Sequence, residues 1–141
     1  MITAMDDELI QAYSETHYTV QDNEPFVLRI GDVSEALLAC HKRNRVECSA
    51  FITAWNPLSQ QLSVTENEKH QQALIAEIKS RSLSFLPGEG RHPSNNWPAE
   101  QSVLVLGLSL EAAKTLGRRF EQNAVVWAGR DGVPELVLLN S

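Results

Sequence analysis

The feature that most constrains the fold is a buried strand that ends abruptly in a polar turn, within residues 48–59. Side chains alternate between the two faces of an extended strand, which places Cys48, Ala50, Ile52 and Ala54 on one face and Ser49, Phe51, Thr53 and Trp55 on the other. Pro57 ends the strand because it has no N–H to donate, and it is expected to hold Asn56 in an extended conformation. The polar end of this strand suits either a binding site or a hydrogen-bonded corner.

Length and charge narrow the class of protein. A chain of 141 residues with 43% hydrophobic and 21% charged residues is typical of one globular domain, here residues 1–141. The formal net charge of −6 disfavours binding to nucleic acid or to an anionic membrane. Cys40 and Cys48 are too few for a disulfide scaffold, and the acidic N-terminus lacks the pattern of a secretory signal. No apolar run approaches the length of a membrane span, so we expect a cytoplasmic protein without a membrane partner.

Helical and strand patterns are interleaved along the chain. Apolar spacing predicts a short helix at 6–15, and capping residues predict longer helices that begin at Asp32 or Ser34, at Thr65 and at Ser109. Strands are predicted at 18–20, 26–30, 48–55, 83–86 and 102–108, and a C-terminal hairpin at 124–128 and 135–139. Residues 1–24 would form an N-terminal helix and an edge segment. We therefore predict an α+β, single-domain two-layer sandwich with a mixed sheet, about three helices and a C-terminal hairpin.

One segment stands apart from this pattern. Residues 87–99 hold three prolines and two glycines, which predicts a long irregular loop. Loops of this length inside a compact domain often carry function.

Several kinds of site find no support in the sequence. The four histidines show no metal-binding spacing, and no G-x-S-x-G motif marks a nucleophile. The glycine-rich segment 88–91 lacks the following helix that a phosphate-binding loop requires. We therefore expect neither a metal nor a cofactor.

The better candidate is a polar, nearly uncharged group of residues at element ends. The candidate ligand-binding residues are Thr53, Trp55, Asn56, Ser59, Asn67, Trp97 and Gln122, with Glu100 as the candidate acid or base. Amides give direction to a small polar ligand and an aromatic ring gives contact area, so Asn56 and Asn67 would orient it and Trp97 would stack. Asparagine also favours turns, and the tryptophans would equally staple the loop to the core. An enzyme and a binding protein both fit this pattern.

A family resemblance runs through the same residues. Its elements are Tyr13-x-x-Thr16-x-Tyr18, Leu28-Arg29-Ile30-Gly31, Ile52-Thr53-Ala54-Trp55-Asn56-Pro57 with Ser59, Glu66-Asn67, Trp97-Pro98-x-Glu100-x-Ser102, and Phe120-x-Gln122-Asn123-Ala124-x-x-Trp127. On these motifs, from about Tyr13 to Leu139, the chain resembles the uncharacterised bacterial domain-of-unknown-function family 3293. The resemblance implies a small bacterial cytoplasmic protein and brings no activity or catalytic residue. Members often have glycine where this chain has Glu121.

A rival interpretation is a non-enzymatic interaction or regulatory module. Pro134 precedes the predicted last strand, and proline at a strand start is typical of a sheet edge. An exposed edge can pair with a protein partner or with a second copy of the chain.

Overall fold

The computed structural model describes residues 7–94 and 97–139, and within them it shows four α-helices and seven strands. The helices are α1 (Asp7–Glu15), α2 (Glu35–Arg43), α3 (Val64–Ser80) and α4 (Leu110–Arg119). The strands are β1 (His17–Val20), β2 (Phe26–Leu28), β3 (Ser49–Ile52), β4 (Phe85–Arg91), β5 (Glu100–Leu106), β6 (Ala124–Ala128) and β7 (Glu135–Leu138). A 3₁₀ turn, Pro57–Ser59, follows β3. The predicted α+β single-domain class and the C-terminal hairpin β6–β7 are confirmed.

The strands form one sheet in the order β2-β1-β4-β5-β3-β6-β7, and each described pair is antiparallel. The prediction of a mixed sheet was therefore wrong. Helix crossovers usually join neighbouring parallel strands, but α4 leads from β5 to β6, and β3 lies between those two strands. The predicted edge segment at 18–20 was also wrong, since β1 lies between β2 and β4.

The predicted loop at 87–99 is in its first part a regular strand. Residues 87–91 belong to β4, which pairs with β1 and β5. Gly88 permits this packing, because a Cβ there would lie 2.6 Å from the carbonyl oxygen of Thr19 and 2.8 Å from the Phe51 ring. Tertiary packing thus overrides the low strand propensity of proline and glycine. The irregular segment begins at His92, and residues 95–96 of the predicted loop lie outside the described residues.

The central strands are covered on both faces, as the apolar run at 102–108 predicted. On one face, Ile52 and its neighbours pack against α3 and α4. On the other, Phe51 and Leu104 pack with α2 and with the core side chains of β1 and β2. The prediction had helices on one side of the sheet, and in the structure α2 also packs on the other side.

The sheet curls around α2. Although β2 and β7 end the strand order on opposite sides, the segments beside them meet: the Gly31 N–H donates to the Pro134 carbonyl at 2.9 Å, and the Ser34 N–H to the Gly132 carbonyl at 2.9 Å. The concave face is therefore filled by α2 at one end. At the other end it is roofed by α1 and leaves a cavity.

The starts of the helices follow from serine caps. Ser34 and Ser109 accept the first free N–H groups of α2 and α4, as predicted. For α3 the cap is Ser63, which accepts from the Glu66 N–H and donates to its carboxylate, so the predicted start at Thr65 was two residues late. None of the helices within 7–94 and 97–139 is long and apolar enough to cross a membrane.

Candidate functional site

The site is built on the chain that leaves β3. Beyond Ile52 this chain is held by side chains of α3, which accept its N–H groups as a neighbouring strand would. Gln71 accepts from the Ala54 N–H at 3.0 Å, and Asn67 accepts from the Asn56 N–H at 2.7 Å. The spacing matches, since residues four apart share a helix face and residues two apart share a side of an extended chain. Two amides therefore fix the strand exit against α3.

Asn56 is a buried junction between α3 and β5. Its Oδ1 accepts from the Leu62 N–H at 2.9 Å and from Asn67 Nδ2 at 2.8 Å, while its Nδ2 donates to Glu100 Oε2 at 2.9 Å. The residue is 5% exposed. All of its side-chain groups are hydrogen-bonded inside the protein, so Asn56 supports Glu100 from behind.

The turn after Asn56 is strained. Asn56, Leu58 and Ser59 have φ values of 47°, 54° and 60°, in the left-handed region that non-glycine residues rarely adopt. The expectation of an extended Asn56 before Pro57 was therefore wrong, because the hydrogen bonds to Asn67 and Glu100 outweigh the local preference. Strain held in place by surrounding contacts is a feature of functional sites.

Glu100 is the carboxyl group of the site. Trp97 Nε1 and Asn56 Nδ2 each donate to its Oε2 at 2.9 Å, so both donors hold the same oxygen. Among the described residues, none donates to Oε1. Burial raises the pKa of Glu100, and the hydrogen bonds from Trp97 and Asn56 act in the opposite direction without cancelling it.

A cavity of about 360 Å³ lies beside Glu100, under α1. The walls combine aromatic rings with short polar side chains. The rings are those of Tyr13, Tyr18, Phe51 and Trp97, and the polar groups include Thr53, Ser59, His92, Glu100, Ser102 and Gln122. A mainly apolar cavity of this size with a few polar groups has the character of a small-molecule site.

The helix α1 forms the roof, although its residues are only partly buried or exposed. Its Tyr13 interacts with Ser59 and Asn123, and burial raises the pKa of the Tyr13 hydroxyl. The Tyr18 hydroxyl donates to the Tyr13 carbonyl at 2.6 Å, and burial raises the pKa of Tyr18 strongly. These contacts fasten α1 to the sheet from below.

A second contact fastens the far end of α1. His92 lies 2.9 Å from Glu15, and this hydrogen bond is the main cause that lowers the pKa of the Glu15 carboxyl. The segment after β4 and the helix thus close the cavity together. The roof is attached by polar contacts at its edges, in contrast to the apolar packing of the other helices.

The structure divides the predicted site residues into two groups. Those that line the cavity are Thr53, Ser59, Trp97, Glu100 and Gln122. Trp55, Asn56 and Asn67 lie outside the lining, where Asn56 and Asn67 hold Glu100 in place. Gln122 also supports the strand exit, since its amide donates to the Trp55 carbonyl at 3.3 Å.

The sequence interpretation missed part of the lining, above all Tyr13, Tyr18, Phe51, His92 and Ser102. Tyr13 and Tyr18 carry a signal in the Tyr13-x-x-Thr16-x-Tyr18 motif, which places two tyrosines at the end of a helix and in the next strand. Phe51 carries none, because an inward-facing aromatic residue in a strand is typical of any core.

The junction after α4 carries a left-handed residue that is not glycine. Glu121 has a φ of 55°, its N–H donates to the Arg118 carbonyl, and the next N–H, of Gln122, donates to the Gly117 carbonyl. This is the Schellman end of a helix, where glycine is the usual residue. The Glu121 carbonyl then accepts from the Leu58 N–H at 2.7 Å, so this junction is joined to the turn after β3.

No group of three or more histidine, cysteine, aspartate or glutamate residues within 7–94 and 97–139 is arranged to hold a metal ion. Cys40 and Cys48 are both free thiols, and burial raises the pKa of each.

Fold and cavity together define a small α+β domain with one curled antiparallel sheet and a carboxyl-lined pocket under its N-terminal helix. The chain belongs to the family described as "Protein of unknown function (DUF3293)", whose sequence profile matches residues 52–125. That range contains the strand exit, Trp97, Glu100 and Gln122. No curated protein matches the chain.

One solved structure is weakly similar. It is a phage SAM lyase in complex with S-methyl-5'-thioadenosine, with 19% sequence identity and a TM-score of 0.34, covering 67% of this chain and 88% of that chain. A likeness this weak does not bear on the ligand of the present cavity.

Proposed function

We propose that this protein binds a small polar molecule in the cavity under α1, with Glu100 as its polar anchor. One observation carries the proposal: two donors hold Glu100 Oε2, while Glu100 itself lines a cavity of about 360 Å³. A carboxyl group that is held on one oxygen and belongs to a residue lining a cavity is prepared for a ligand.

The support behind Glu100 is consistent with this role. Asn67 holds Asn56, and Asn56 holds Glu100, so the carboxyl group is oriented before any ligand arrives. Three residues within 56–59 have a left-handed backbone, so the conformation of this turn costs energy that the surrounding contacts must offset. A turn that merely reverses the chain needs neither feature.

The walls indicate how a ligand would be held. Aromatic rings would contact its apolar body, and the Ser102 hydroxyl, which already donates to the Glu100 carbonyl, would accept a hydrogen bond from it. If the protein is an enzyme, Glu100 is the residue placed to exchange a proton, since its raised pKa brings it towards neutral pH. A cytoplasmic location in a bacterium fits two free cysteines and remains part of the proposal.

A fragment screen by ¹⁵N-edited NMR tests the proposal. In the wild-type protein, bound fragments are expected to shift the resonances of cavity residues, above all the indole N–H of Trp97. Ala12 lines the cavity from α1, so Ala12→Trp should fill it and abolish these shifts. Ala73→Trp places the same side chain at an exposed position of α3 and should retain them.

Two outcomes count against the proposal. One is a screen in which no fragment shifts a cavity residue. The other is a set of shifts that survives unchanged in Ala12→Trp, which would show that the fragments bind elsewhere.

The alternative is an interaction module that uses a sheet edge. The observation that favours it is the position of β7, a four-residue strand at the end of the sheet with Leu138 39% exposed. Light scattering over a concentration series tests self-association through this edge. A monomer at all concentrations would count against pairing between copies.

A further inference from the structure

We propose that the ligand is a small organic cation, an ammonium or amidinium group carried on an apolar body, and that Glu100 with the surrounding rings recognises its charge. This inference rests on the proposed binding function and specifies its ligand class. It follows from the charges that face the cavity, from the rings beside them and from the hydrogen bonding of Glu100.

The charges facing the cavity are of one sign. Among the described residues that line it, Glu100 is the acidic one, and none is lysine or arginine. His92 also lines the cavity, and its ring is engaged with Glu15 of α1. An anionic ligand would therefore meet a carboxylate without a compensating cation. A cationic ligand would meet its counter-charge directly.

The aromatic lining favours the same class. Tyr13, Tyr18, Phe51 and Trp97 contribute rings to one cavity, and a cation is attracted to the face of an aromatic ring. Tyr18 and Phe51 pack edge to face, with ring centres 5.3 Å apart and an interplanar angle of 70°. Both residues also line the cavity, so this packed pair would form an apolar wall for the body of the ligand.

The hydrogen bonds of Glu100 provide the third argument. Trp97 and Asn56 are both neutral donors, and both hold Oε2. The ionised carboxylate thus has no positive partner among these contacts, and burial disfavours its charge. A bound ammonium at Oε1 would supply the missing counter-charge and stabilise the ionised form. The net charge of −6 would also attract a cation from a distance.

Three probes of nearly equal shape test the inference: phenethylamine, 2-phenylethanol and phenylacetate, which are cationic, neutral and anionic at neutral pH. Titrations are followed through the indole N–H of Trp97, which donates to Glu100. We expect phenethylamine to bind about tenfold more tightly than 2-phenylethanol, as one charge-assisted hydrogen bond provides. Phenylacetate should bind most weakly.

Two variants locate the origin of this preference. Glu100→Gln keeps an oxygen for the donors Trp97 and Asn56 but removes the charge, so the advantage of the amine over the alcohol should disappear. Glu68→Gln removes the same charge from an exposed position of α3 and should preserve the advantage.

The outcomes separate this inference from the proposed function. If 2-phenylethanol or phenylacetate shifts the cavity residues at lower concentration than the amine, the cavity binds ligands but the cationic class is wrong. If none of the three probes shifts a cavity residue at millimolar concentration, the cationic class is also overturned. The fragment screen with Ala12→Trp then decides separately whether the cavity binds small molecules at all.

Discussion

Replacing Asn67 by alanine tests whether the amide network supports the site. The Asn67 side chain is 2% exposed and makes three hydrogen bonds: it accepts from the Asn56 N–H at 2.7 Å and donates to Asn56 Oδ1 at 2.8 Å and to the Leu62 carbonyl at 3.4 Å. Truncation of this buried side chain removes all three hydrogen bonds at once. Asn67→Ala should therefore destabilise the fold without touching the cavity lining.

The size of the effect follows from the contacts. The buried N–H of Asn56 loses its acceptor, which costs about 1–3 kcal/mol. The hydrogen bond to Asn56 Oδ1 contributes about 1 kcal/mol, and that oxygen keeps its bond from the Leu62 N–H. Alanine is a better helix former than asparagine by about 0.5 kcal/mol, which offsets a small part. We expect a loss of about 2–3 kcal/mol, a large share of the stability of about 5–15 kcal/mol that is usual for a domain.

Urea unfolding followed by circular dichroism measures this loss. Gln72→Ala is the matched control, since it removes an exposed amide from the same helix and should change the stability by less than about 0.5 kcal/mol. If Asn67→Ala costs less than about 1 kcal/mol, the network does not hold the strand exit, and the assignment of Asn56 and Asn67 as supports is refuted.

Three further predictions concern other parts of the structure. Gly88→Ala should cost about 3 kcal/mol in urea unfolding, because the new Cβ meets the Thr19 carbonyl and the Phe51 ring; a neutral result would show that β4 can move aside. Glu121→Gly should raise the stability by about 0.5–1 kcal/mol by relieving the left-handed backbone; a loss would mean that this conformation is unstrained. The pKa of Glu100 is raised in the folded state, so the folded protein binds this proton more tightly than the unfolded chain does. The resulting stabilisation is fully present below the ordinary pKa of 4.5 and is lost as the pH rises through the raised pKa. As the pH is raised above 4.5, the urea midpoint of the wild type should therefore fall further than that of Glu100→Gln. If the two midpoints change in parallel with pH, the burial of this carboxyl group is contradicted.

The helix ends show why local sequence predicts starts better than stops. Ser34, Ser63 and Ser109 cap three helices with a side chain that the sequence displays. The same helices end at left-handed residues, Arg45 and Ser82 as well as Glu121, where the usual glycine is missing. Backbone hydrogen bonds back into each helix, such as those from the N–H groups of Val46 and Leu83 to the carbonyls of His41 and Ile78, hold these residues in a conformation that their own preferences oppose. Without a glycine, no residue type in the sequence marks these helix ends.

In the sheet, too, local sequence predicted some strands and not others. Alternation and apolar runs predicted β3, β5 and the β6–β7 hairpin, since these signals lie within a few consecutive residues. They predicted only the start of β4, as the strand at 83–86, and not residues 87–91, whose proline and glycines become part of the strand where β1 and β5 flank them. Nor did they show that β3 would lie between β5 and β6 and make the sheet antiparallel.

By itself the sequence determined the α+β class and the polar group at the strand exit, because each depends on residues that are close along the chain. The assembly of the cavity was decided by the tertiary structure alone. Asn56 meets Glu100 across 44 residues, and Phe51 and Tyr13 reach the same space from β3 and α1. Which polar residue supports and which faces the cavity depends on where the curled sheet directs each side chain, and a single strand or helix does not encode that direction.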